Sequence, residues 1–437
     1  MNEITSKKAE KIRDVIRYLQ KFKNAVVVIY LDDYTIQSAL YSSHIRDIAL
    51  LHEAGLQVVI IPGARKRIDQ VLASEGIKST YHNNIRVTDG DAMPLIKMAA
   101  FDVSNTIMTS LAACNINAII GNWVHARAKG IIDGFDYGTA GEIDKLQTEA
   151  IRTILNEGFI PIFPCIGWNS VGHPYNISSV SLAQQIAVTL GADKLFFVME
   201  EGGIKEGKFN IPAGFPLSDN GDVPAMNLGQ VDEFIAANSN EKSVISILEK
   251  AKEACSKGVT RVHLVDGNQD GVLPCEIFSD LGSGTMIYTS NYGKIRNMVQ
   301  TDIPAVLGLM RPFIQSGKLL DRNEQQLSEQ LSDFVVYEVD GGVHACAALH
   351  QYDDKQGEIA AVAVDENFAH MGIGPQLINH LTQKAKETGC KSVFIMTTQT
   401  SDWFEKLGFI PDTIESLPEA RRKLWTPARN SKVYRLK

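Results

Sequence analysis

The sequence predicts an α/β protein with a parallel or mixed sheet covered by helices on both faces, followed by a smaller α+β unit. Two patterns support this fold class. Over the first two-thirds of the chain, continuous apolar runs alternate with segments of helical periodicity, which is typical of buried parallel strands and their covering helices. Over the last third, an apolar strand leads through a glycine loop into an amphipathic helix. Because the chain has 437 residues, we expect two or three domains.

The composition argues against several classes of protein. Hydrophobic residues make up 44% and charged residues 22%, which describes a soluble globular chain. The net charge of −8 argues against a general nucleic-acid binder. No apolar signal peptide opens the sequence and no window is long enough to span a membrane, so we expect a cytoplasmic protein. The cysteines are widely scattered, which favours reduced thiols over disulfides or a metal site; they are Cys114, Cys165, Cys255, Cys275, Cys346 and Cys390.

Residues 1–22 are predicted to form an amphipathic helical arm. The arm is charged, and it carries an apolar stripe at helical spacing that consists of Ile12, Val15, Ile16 and Leu19. This stripe must be buried against another surface. It either pairs with the same helix of another subunit, which predicts a ring-like homo-oligomer such as a hexamer, or it folds back onto its own domain.

Residues 23–288 hold the alternating pattern of the first domain. The strand-like runs are 25–30, 57–62, 117–121, 159–164, 194–198 and 261–265. The helical segments between them are 38–54, 66–74, 92–113, 181–190 and 243–256. Ligands of such sheets bind at the carboxyl ends of the strands, so the loops that follow the strands are candidate sites.

Four segments at or near these strand ends form a recognisable set. They are Pro62-Gly-Ala-Arg-Lys-Arg-Ile68, Asn84-Ile-Arg-Val-Thr-Asp89, Asn176-Ile-Ser-Ser-Val180 with the helix that follows, and Glu276-Ile-Phe-Ser-Asp-Leu-Gly-Ser-Gly-Thr-Met-Ile287. In this order they resemble the amino acid kinase fold of the acetylglutamate kinases, a three-layer α/β fold. The resemblance covers roughly residues 20–288.

The residues that perform phosphoryl transfer in that family are absent here. In the family, the first strand ends in a Lys followed by a Gly-Gly turn. Here Ile29 takes the place of the Lys, Leu31 and Asp32 replace the glycines, and Val180 replaces an Asp that orients the Lys. Because phosphoryl transfer depends on positioning and charge neutralisation, the resemblance implies a kinase fold without kinase activity.

The last third of the chain places a glycine loop between a strand and a helix. The strand 359–364 is followed by Gly372-Ile-Gly374, and the next helix carries Leu377, Ile378, Leu381 and Ala385 on one face. The free backbone N–H groups and the helix dipole of such a junction suit a pyrophosphate. Together with the strand 392–397 and the segment 402–411, this order resembles the acetyl-CoA-binding core of the GNAT acyltransferases. The resemblance implies acetyl-CoA as co-substrate, bound by Val362, Ala363, Val364, Ala369, His370, Met371, Gly372, Ile373 and Gly374, with Ala369 in place of the usual Gln or Arg.

An inactive amino acid kinase domain followed by a GNAT domain, here at residues 289–437, is the layout of the bacterial N-acetylglutamate synthase family. Segments 309–317 and 417–433 are also similar to that family, so the resemblance spans nearly the whole chain. It implies acetyl transfer from acetyl-CoA to L-glutamate, giving N-acetyl-L-glutamate and CoA, the first step of arginine biosynthesis, with L-arginine as effector. A bifunctional synthase-kinase, or a mainly regulatory arginine-binding protein with a weak acyltransferase half, are the alternatives.

Acetyl transfer to an amine needs a base, donors to the oxyanion and an acid for the departing thiolate. The resemblance implies Glu358 as the base, although a strand Glu can equally face solvent. Backbone N–H groups near residues 362–364 are the expected oxyanion donors. Phe404 stands where many GNAT enzymes have a Tyr acid, so the candidate acids are Thr397 and Thr398, which are also ordinary strand residues.

Glutamate carries two carboxylates, which guanidinium groups recognise with paired hydrogen bonds. Arg311 and Arg429 fit the family's substrate-anchoring positions, and Ser431 and Lys432 are expected to assist them. Arg311 lies in the apolar helix 304–314, where a charge needs a partner.

The kinase-like domain is the expected sensor. In arginine-sensitive relatives the effector binds between the N-terminal helix and the closing segment, which implies Tyr18, His263, Glu276, Gly282, Ser283, Gly284 and Thr285 here. Glu276 is expected to pair with the guanidinium of the effector, and the backbone around Ser283 to bind its carboxylate. No His or Cys cluster in the sequence predicts a metal.

Overall fold

The chain consists of two compact units, Met1–Ser290 and Asn291–Lys437. The computed structural model describes residues 16, 22–218, 220–278, 283–289, 293–339, 341–366, 368, 372–427 and 429–436. The division falls two residues after the boundary expected from the sequence. Of the predicted arm, only Ile16, which is helical and exposed, and Phe22 are among the described residues, so the pairing of the arm stays a prediction. Within the described part of the chain, no helix is both long and apolar enough to cross a membrane.

The first unit alternates strands and helices along most of its length. Its strands are β1 (Val26–Leu31), β2 (Gln57–Pro62), β3 (Thr80–His82), β4 (Ile85–Val87), β5 (Ala118–Ile120), β6 (Val124–Ala128), β7 (Ile131–Ile132), β8 (Phe135–Asp136), β9 (Gly141–Leu146), β10 (Ile160–Ile162), β11 (Ile166–Trp168), β12 (Pro174–Asn176), β13 (Lys194–Met199), β14 (Ala225–Asn227), β15 (Arg261–Asp266) and β16 (Thr285–Tyr288). Its helices are α1 (Asp33–Gln37), α2 (Tyr41–Glu53), α3 (Arg65–Ser74), α4 (Met93–Ala113), α5 (Thr148–Asn156), α6 (Ser179–Leu190), α7 (Leu228–Ala237), α8 (Lys242–Ser256) and α9 (Val272–Phe278).

The central sheet of this unit is mixed, and it has eight strands in the order β14-β16-β15-β13-β1-β2-β10-β5. All the strands predicted from the sequence lie next to one another in its parallel part. The predicted α/β fold class is therefore confirmed. A second sheet, in the order β12-β11-β6-β9, was not predicted, because its strands are either very short or interrupted by polar residues, so none forms a long apolar run.

Both faces of the central sheet are covered, as strand β1 illustrates. Val26 and Val28 pack into a core with residues of α6 and α8, whereas Val27 and Ile29 pack into another core with residues of α2 and α4. The residues of one strand alternate between the two cores because successive side chains of a strand point to opposite faces. The result is the three-layer arrangement expected from the sequence.

The end of β1 carries no cation that could neutralise a phosphate. Ile29 is fully buried in the core. Asp32, just after the strand, is already bonded to backbone groups, since its Oδ1 accepts the N–H of Thr35 at 2.7 Å and its Oδ2 accepts the N–H of Glu200 at 2.9 Å. Asp32 is thereby the N-cap of α1. In the kinases this turn is expected to contact the phosphates of the nucleotide. In the present chain Asp32 uses it to cap α1 and to bond the backbone of Glu200.

The second unit is an α+β domain built on one sheet of seven strands. Its strands are β17 (Lys294–Asn297), β18 (Phe334–Val339), β19 (Gly342–Gln351), β20 (Gln356–Val364), β21 (Ser392–Thr397), β22 (Ile410–Asp412) and β23 (Lys432–Leu436). Its helices are α10 (Ile303–Gln315), α11 (Glu324–Glu329), α12 (Ile373–Glu387), α13 (Ser401–Lys406) and α14 (Glu419–Arg422). The strand order is β17-β18-β19-β20-β21-β23-β22, and only β20 and β21 run parallel to each other.

A bulge in β20 changes which side chains face each core. Ile359 and Val362 both pack in the core that contains α12, although they lie three positions apart and would face opposite sides of a regular strand. Ala361, whose φ is +53°, takes up the extra residue, and the pairing of β20 with β19 shifts register nearby. Ala361 itself and Ala363, beyond the bulge, face the opposite core, which contains α10. The strand begins at Gln356, three residues before the start predicted from the sequence, so Glu358 is its third residue.

Candidate active site

The two parallel strands of the second unit separate partway along their length. β20 and β21 are paired from Gln356 with Ser392 to Ile359 with Ile395, and beyond that row no pairing joins them. β21 continues to Thr397 as the partner of β23. One edge of residues 360–364 is therefore free to bond a ligand, and these residues include the predicted cofactor contacts Val362, Ala363 and Val364.

The helix that follows β20 presents its N-terminus at the predicted pyrophosphate loop. Its N-cap is Gly372, whose φ is +68°, a conformation that favours glycine. Gly374 is closely packed, because a Cβ at this position would lie 2.9 Å from Cζ2 of Trp403. The first N–H groups of α12, including those of Ile373 and Gly374, have no acceptor within the helix. Ala369, His370 and Met371, which were predicted from the sequence, lie outside the described residues.

Glu358 is buried just before the strands separate. Its side chain does not face solvent, since only 4% of the residue is exposed. Its Oε2 accepts two hydrogen bonds, from Tyr352 Oη at 2.8 Å and from Arg421 Nε at 2.7 Å. Burial and the negative charge of Glu358 raise the pKa of Tyr352, which keeps the phenol protonated as a donor. The alternative of a strand Glu facing solvent is therefore excluded.

Arg322 lies near Glu358 and near two other arginines. Burial lowers the pKa of Arg322, and the positive charges of Arg421 and Arg429 act in the same direction, whereas the charge of Glu358 opposes them. Arg322 stacks on the ring of Phe334 at 5.8 Å and makes no hydrogen bond or ion pair with the residues that the structure describes. Such a half-buried, unpaired cation is suited to an anionic ligand.

The predicted anchor Arg311 has a different environment. It follows the buried Met310 on α10 and is itself exposed, and it forms no ion pair within the described residues. The helix turns this position toward solvent and not into the apolar core, and the role of Arg311 as a substrate anchor stays a prediction. Arg429 is partly buried, and its Nη2 donates to the backbone oxygen of Lys318 at 3.1 Å.

The remaining predicted anchors lie on the last strand and the loop before it. Ser431 is buried, and its backbone oxygen accepts the indole N–H of Trp425 at 3.3 Å. Lys432 is exposed and pairs in register with Thr397. Both residues line an open depression of about 360 Å³ beside β22.

The two threonines at the end of β21 differ in how their hydroxyls are used. Thr397 Oγ1 lies 2.8 Å from the hydroxyl of Thr400 and accepts the N–H of Thr400. The hydroxyl of Thr398 is buried and has no hydrogen-bond partner among the described residues. Phe404 is buried against Trp403 and Phe409, so it contributes packing and no polar group.

The predicted effector residues in the first unit form a buried polar cluster. Glu276 Oε1 lies 2.8 Å from Nδ1 of His263, and its Oε2 accepts the N–H of Gly284 at 3.2 Å. The hydroxyl of Thr285 donates to the backbone oxygen of Val223 and accepts the N–H of Ile204, so it stabilises the local fold. Ser283 is exposed. Tyr18 and Gly282 lie outside the described residues.

The charges around this cluster determine its protonation. Burial lowers the pKa of His263 to about 4, and the positive charges of Lys194 and Arg261 act in the same direction, against the attraction of Glu276. A neutral His263 that donates from Nδ1 leaves its Nε2 as an acceptor, and Nε2 is buried without a partner in the described structure. Burial raises the pKa of Glu276, but the bonds from His263 and Gly284 outweigh it and hold that pKa below its ordinary value. No cluster of His, Cys, Asp and Glu suited to a metal ion occurs among the residues described.

Arg322, Tyr352 and Arg421 were not predicted from the sequence. Arg322 and Arg421 lie in polar segments that read as solvated loops or turns. Tyr352 follows β19 at a turn and reaches Glu358 only because the strands fold back as a hairpin. A hairpin pattern around residues 351–356 would have placed Tyr352 near Glu358, whereas no local signal joins Arg421 to Glu358, 63 residues away.

Each of the two units matches a known protein family. Residues 34–266 match the amino acid kinase family, and residues 306–409 match the acetyltransferase (GNAT) family. The chain is 35% identical over 431 residues to the amino-acid acetyltransferase of Photobacterium profundum, covering 95% of each protein. It is 32% identical over 439 residues to that of Escherichia coli, covering 97% of this chain and 96% of the relative.

Solved structures that resemble the chain over nearly its whole length also come from this type of enzyme. The N-acetylglutamate synthase from Neisseria gonorrhoeae complexed with coenzyme A and L-arginine superposes with a TM-score of 0.81 at 29% identity, covering 98% of this chain and 99% of that one. A structure of the same protein complexed with coenzyme A and N-acetyl-glutamate gives a TM-score of 0.62, also at 29% identity, covering 98% of both chains.

The buried His263 makes the stability of the first unit depend on pH. Its pKa in the folded chain is about 4, below the ordinary value of 6.5, so the unfolded chain binds this proton more readily between those values. The free energy of unfolding should therefore fall as the pH is lowered from about 6.5 to about 4. In His263→Asn, whose amide nitrogen can replace Nδ1, this part of the fall should disappear. Urea unfolding at pH 7.5 and pH 5 measures it, with exposed His173→Asn as the control; an equal fall in all three proteins would contradict the assignment.

Proposed function

The chain belongs to the amino-acid acetyltransferase family, in which an amino acid kinase unit precedes a GNAT unit, and we propose that it acetylates L-glutamate. In this reaction the α-amine attacks the carbonyl carbon of acetyl-CoA. A C–N bond forms, the C–S bond breaks, a proton leaves the nitrogen and a proton is taken up by the thiolate. The products are N-acetyl-L-glutamate and coenzyme A. The observation that carries the proposal is the buried Glu358, surrounded by arginines at the point where β20 and β21 separate.

Acetyl-CoA is the co-substrate, and we assign it to the opening between the two strands. The unpaired edge of Val362, Ala363 and Val364 offers backbone groups to the acyl end of the molecule and N–H donors to the oxyanion. The N-terminus of α12, at Gly372 and Gly374, offers N–H groups and a positive dipole to the pyrophosphate. The proposed reaction uses no metal.

Glu358 is the proposed base that accepts the proton of the amine, either directly or through a water molecule. Its burial strengthens the electrostatic interactions that a bound substrate makes with it. For the thiolate, Thr398 is the better of the two candidate acids, because its hydroxyl is not committed to another group whereas that of Thr397 is bonded to Thr400.

Arg322 and Arg429 are the proposed anchors of the glutamate carboxylates. The charges of Glu358 and Arg429 both act on Arg322, so these side chains lie near one another, and Arg322 has no competing ion pair among the described residues. The exposed Arg311 is less suited to this task than the sequence suggested. Ser431 and Lys432 remain candidates for an assisting role, since they border the loop of Arg429.

L-arginine is the proposed effector, bound in the first unit near His263 and Glu276. The N-acetylglutamate synthase from Neisseria gonorrhoeae has been crystallised with L-arginine, and the present chain keeps a buried carboxylate in the segment expected to bind it. A location in the cytoplasm and assembly into a ring-like homo-oligomer complete the proposal. A bifunctional synthase-kinase is disfavoured, because the buried Ile29 supplies no charge to a phosphate.

The role of Glu358 is tested by Glu358→Gln, which keeps the shape of the side chain and removes its basicity. Turnover with acetyl-CoA and L-glutamate should fall roughly two orders of magnitude, because general-base catalysis contributes about 10²–10⁴-fold. Thiol release, measured without ATP, reports turnover. Glu329→Gln, an exposed carboxylate on α11, is the control. Turnover of Glu358→Gln that equals the control across the alkaline range would remove Glu358 from this role.

The substrate anchor is tested by comparing Arg322→Gln with Arg311→Gln. Loss of one charge-assisted contact weakens binding by about 1.5–3 kcal/mol, so the KM for glutamate should rise roughly 10- to 100-fold in Arg322→Gln. The KM for acetyl-CoA should stay unchanged. Arg311→Gln, which removes an exposed charge, should change neither constant by more than about twofold. The reverse ranking would assign the carboxylate to Arg311.

The effector site is tested by Glu276→Gln, which removes the charge but keeps a group of similar size. Calorimetry should detect L-arginine binding to the unaltered protein and at least about tenfold weaker binding to the variant, because a charged partner of the guanidinium is lost. Acetyl transfer in the absence of arginine should be retained, since the site lies in the first unit. Glu249→Gln, an exposed position on α8, is the control. Arginine binding that is undiminished in Glu276→Gln would place the effector elsewhere.

A further inference from the structure

The bulge of β20 receives a hydrogen bond from a thiol on the neighbouring strand. Cys346 on β19 is fully buried, and its Sγ–H donates to the backbone oxygen of Ala361 at 3.6 Å. Burial raises the pKa of this thiol to about 12, against the lowering effects of the positive charge of Arg322 and of the backbone N–H of Ala363. At neutral pH the sulfur therefore keeps the proton that it donates.

The residue that accepts this hydrogen bond lies outside the regular strand pairing. The register of β19 and β20 shifts between Cys346 and Ala348, and no residue of β19 is paired in register with Ala361 or Val362. β21 supplies no partner either, because its pairing with β20 ends at Ile359. The hydrogen bond from the thiol thus takes the place of a strand contact at the bulge.

The backbone of Ala361 needs such support. Its φ of +53° is unfavourable for a residue with a Cβ, and such conformations persist only where the surrounding structure holds them. The side chain of Ala361 is a single methyl group in the core that contains α10, so it makes apolar contacts alone. Among the residues that the structure describes, Cys346 is the only one whose side chain bonds the carbonyl of Ala361.

We propose that Cys346 is a positioning residue for acetyl transfer, because its thiol fixes the direction of the backbone N–H groups assigned to the oxyanion. The carbonyl of Ala361 and the N–H of Val362 belong to one planar trans peptide group, in which they point in opposite directions. Holding the carbonyl toward Cys346 directs this N–H away from it. β20 lies between β19 and β21, so an N–H directed away from β19 faces the unpaired edge to which we assign the acyl group.

The thiol acts through Ala361 and not on the substrate itself. Donors that are already oriented toward the developing negative charge stabilise the transition state without further reorganisation. Loss of the thiol should therefore lower kcat and leave the binding of acetyl-CoA nearly unchanged. This inference rests on the proposed acetyl transfer.

Three substitutions separate the hydrogen bond of Cys346 from its volume. Cys346→Ser keeps a donor in a smaller side chain, Cys346→Val fills the space without a donor, and Cys346→Ala does neither. In Cys346→Val and Cys346→Ala, kcat should fall roughly tenfold or more, because loss of one oxyanion donor costs about 10²–10³-fold and a displaced donor costs part of this. Cys346→Ser should stay within about threefold of the unaltered protein, since its hydroxyl can donate to the same carbonyl. The KM for acetyl-CoA should change less than about twofold in all three variants, because the pyrophosphate is assigned to the N-terminus of α12.

Infrared spectroscopy tests the orientation of the donors without turnover. Hydrogen bonds to the carbonyl oxygen of the acetyl group weaken its C=O bond. The C=O stretch of acetyl-CoA, isotopically labelled at this carbonyl, should therefore move to lower frequency when the unaltered protein binds it. Cys346→Ser should retain this shift, and in Cys346→Val it should shrink to about half or less, because fewer donors point at the oxygen.

Cys255 provides a matched control in the first unit. It is a buried thiol on α8 that donates to the backbone oxygen of Ile287 at 3.5 Å, and burial raises its pKa to about 12 as well. Cys255→Val removes the same kind of hydrogen bond and should leave kcat and the infrared shift unchanged. Urea unfolding of both Val variants measures the folded fraction, so that a lower activity is not mistaken for a loss of folded protein.

The outcomes distinguish the positioning role from simple packing and from the proposed function. A folded Cys346→Val protein with the kcat and the infrared shift of the unaltered protein overturns the inference, and so does a Cys346→Ser protein no more active than Cys346→Ala. Should Cys346→Val not fold, the comparison of Cys346→Ser with Cys346→Ala decides. Failure of the unaltered protein to release CoA with glutamate refutes the proposed function, and the infrared comparison then still tests the role of Cys346.

Discussion

The site depends on one departure from regular sheet structure, the separation of β20 and β21 after the row that joins Ile359 and Ile395. Two central strands that part within a sheet leave backbone N–H and C=O groups without partners, which is unfavourable unless water or a ligand bonds them. The bulge at Ala361 accompanies this separation and turns the side chains beyond it to the opposite faces. The chain after β20 then leads into the N-terminus of α12. An unpaired strand edge is thus followed along the chain by the helix N-terminus to which we assign the pyrophosphate.

The polar side chains named above differ in how fully they are hydrogen-bonded within the protein. In the first unit, Asp32 in the turn after β1 makes hydrogen bonds within the fold: it caps α1 and accepts the backbone N–H of Glu200. In the second unit, polar groups are buried but partly unused, such as Arg322 and the terminal nitrogens of Arg421. Buried groups without partners are costly, and they persist in folded proteins mainly where a ligand completes them. Such groups occur in both units, at Nε2 of His263 in the first and at Arg322 and Arg421 in the second, which suits a ligand site in each unit.

The sequence predicted the elements with strong periodicity and missed those that depend on distant contacts. β21 is found at Ser392–Thr397 as predicted, and the long apolar strands of the first unit form its parallel sheet, because their burial leaves a continuous apolar run. The strands of the smaller sheet left no such run. Glu358 was identified through a family motif, whereas Arg421 and Arg322 come from polar segments whose positions only the folded chain determines. The exposure of Arg311 was not predicted, because an apolar sequence neighbourhood does not reveal which face of a helix a residue occupies.

The central claim is that this chain moves an acetyl group from acetyl-CoA to the amine of glutamate by means of the site at the strand opening. The most direct measurement follows both products of one reaction: coenzyme A by its free thiol, and N-acetyl-L-glutamate by mass spectrometry, with purified protein, acetyl-CoA and L-glutamate and without ATP. The account predicts equal amounts of the two products and no thiol release when glutamate is left out. Thiol release that does not depend on glutamate, or product that appears only when ATP is added, would contradict it.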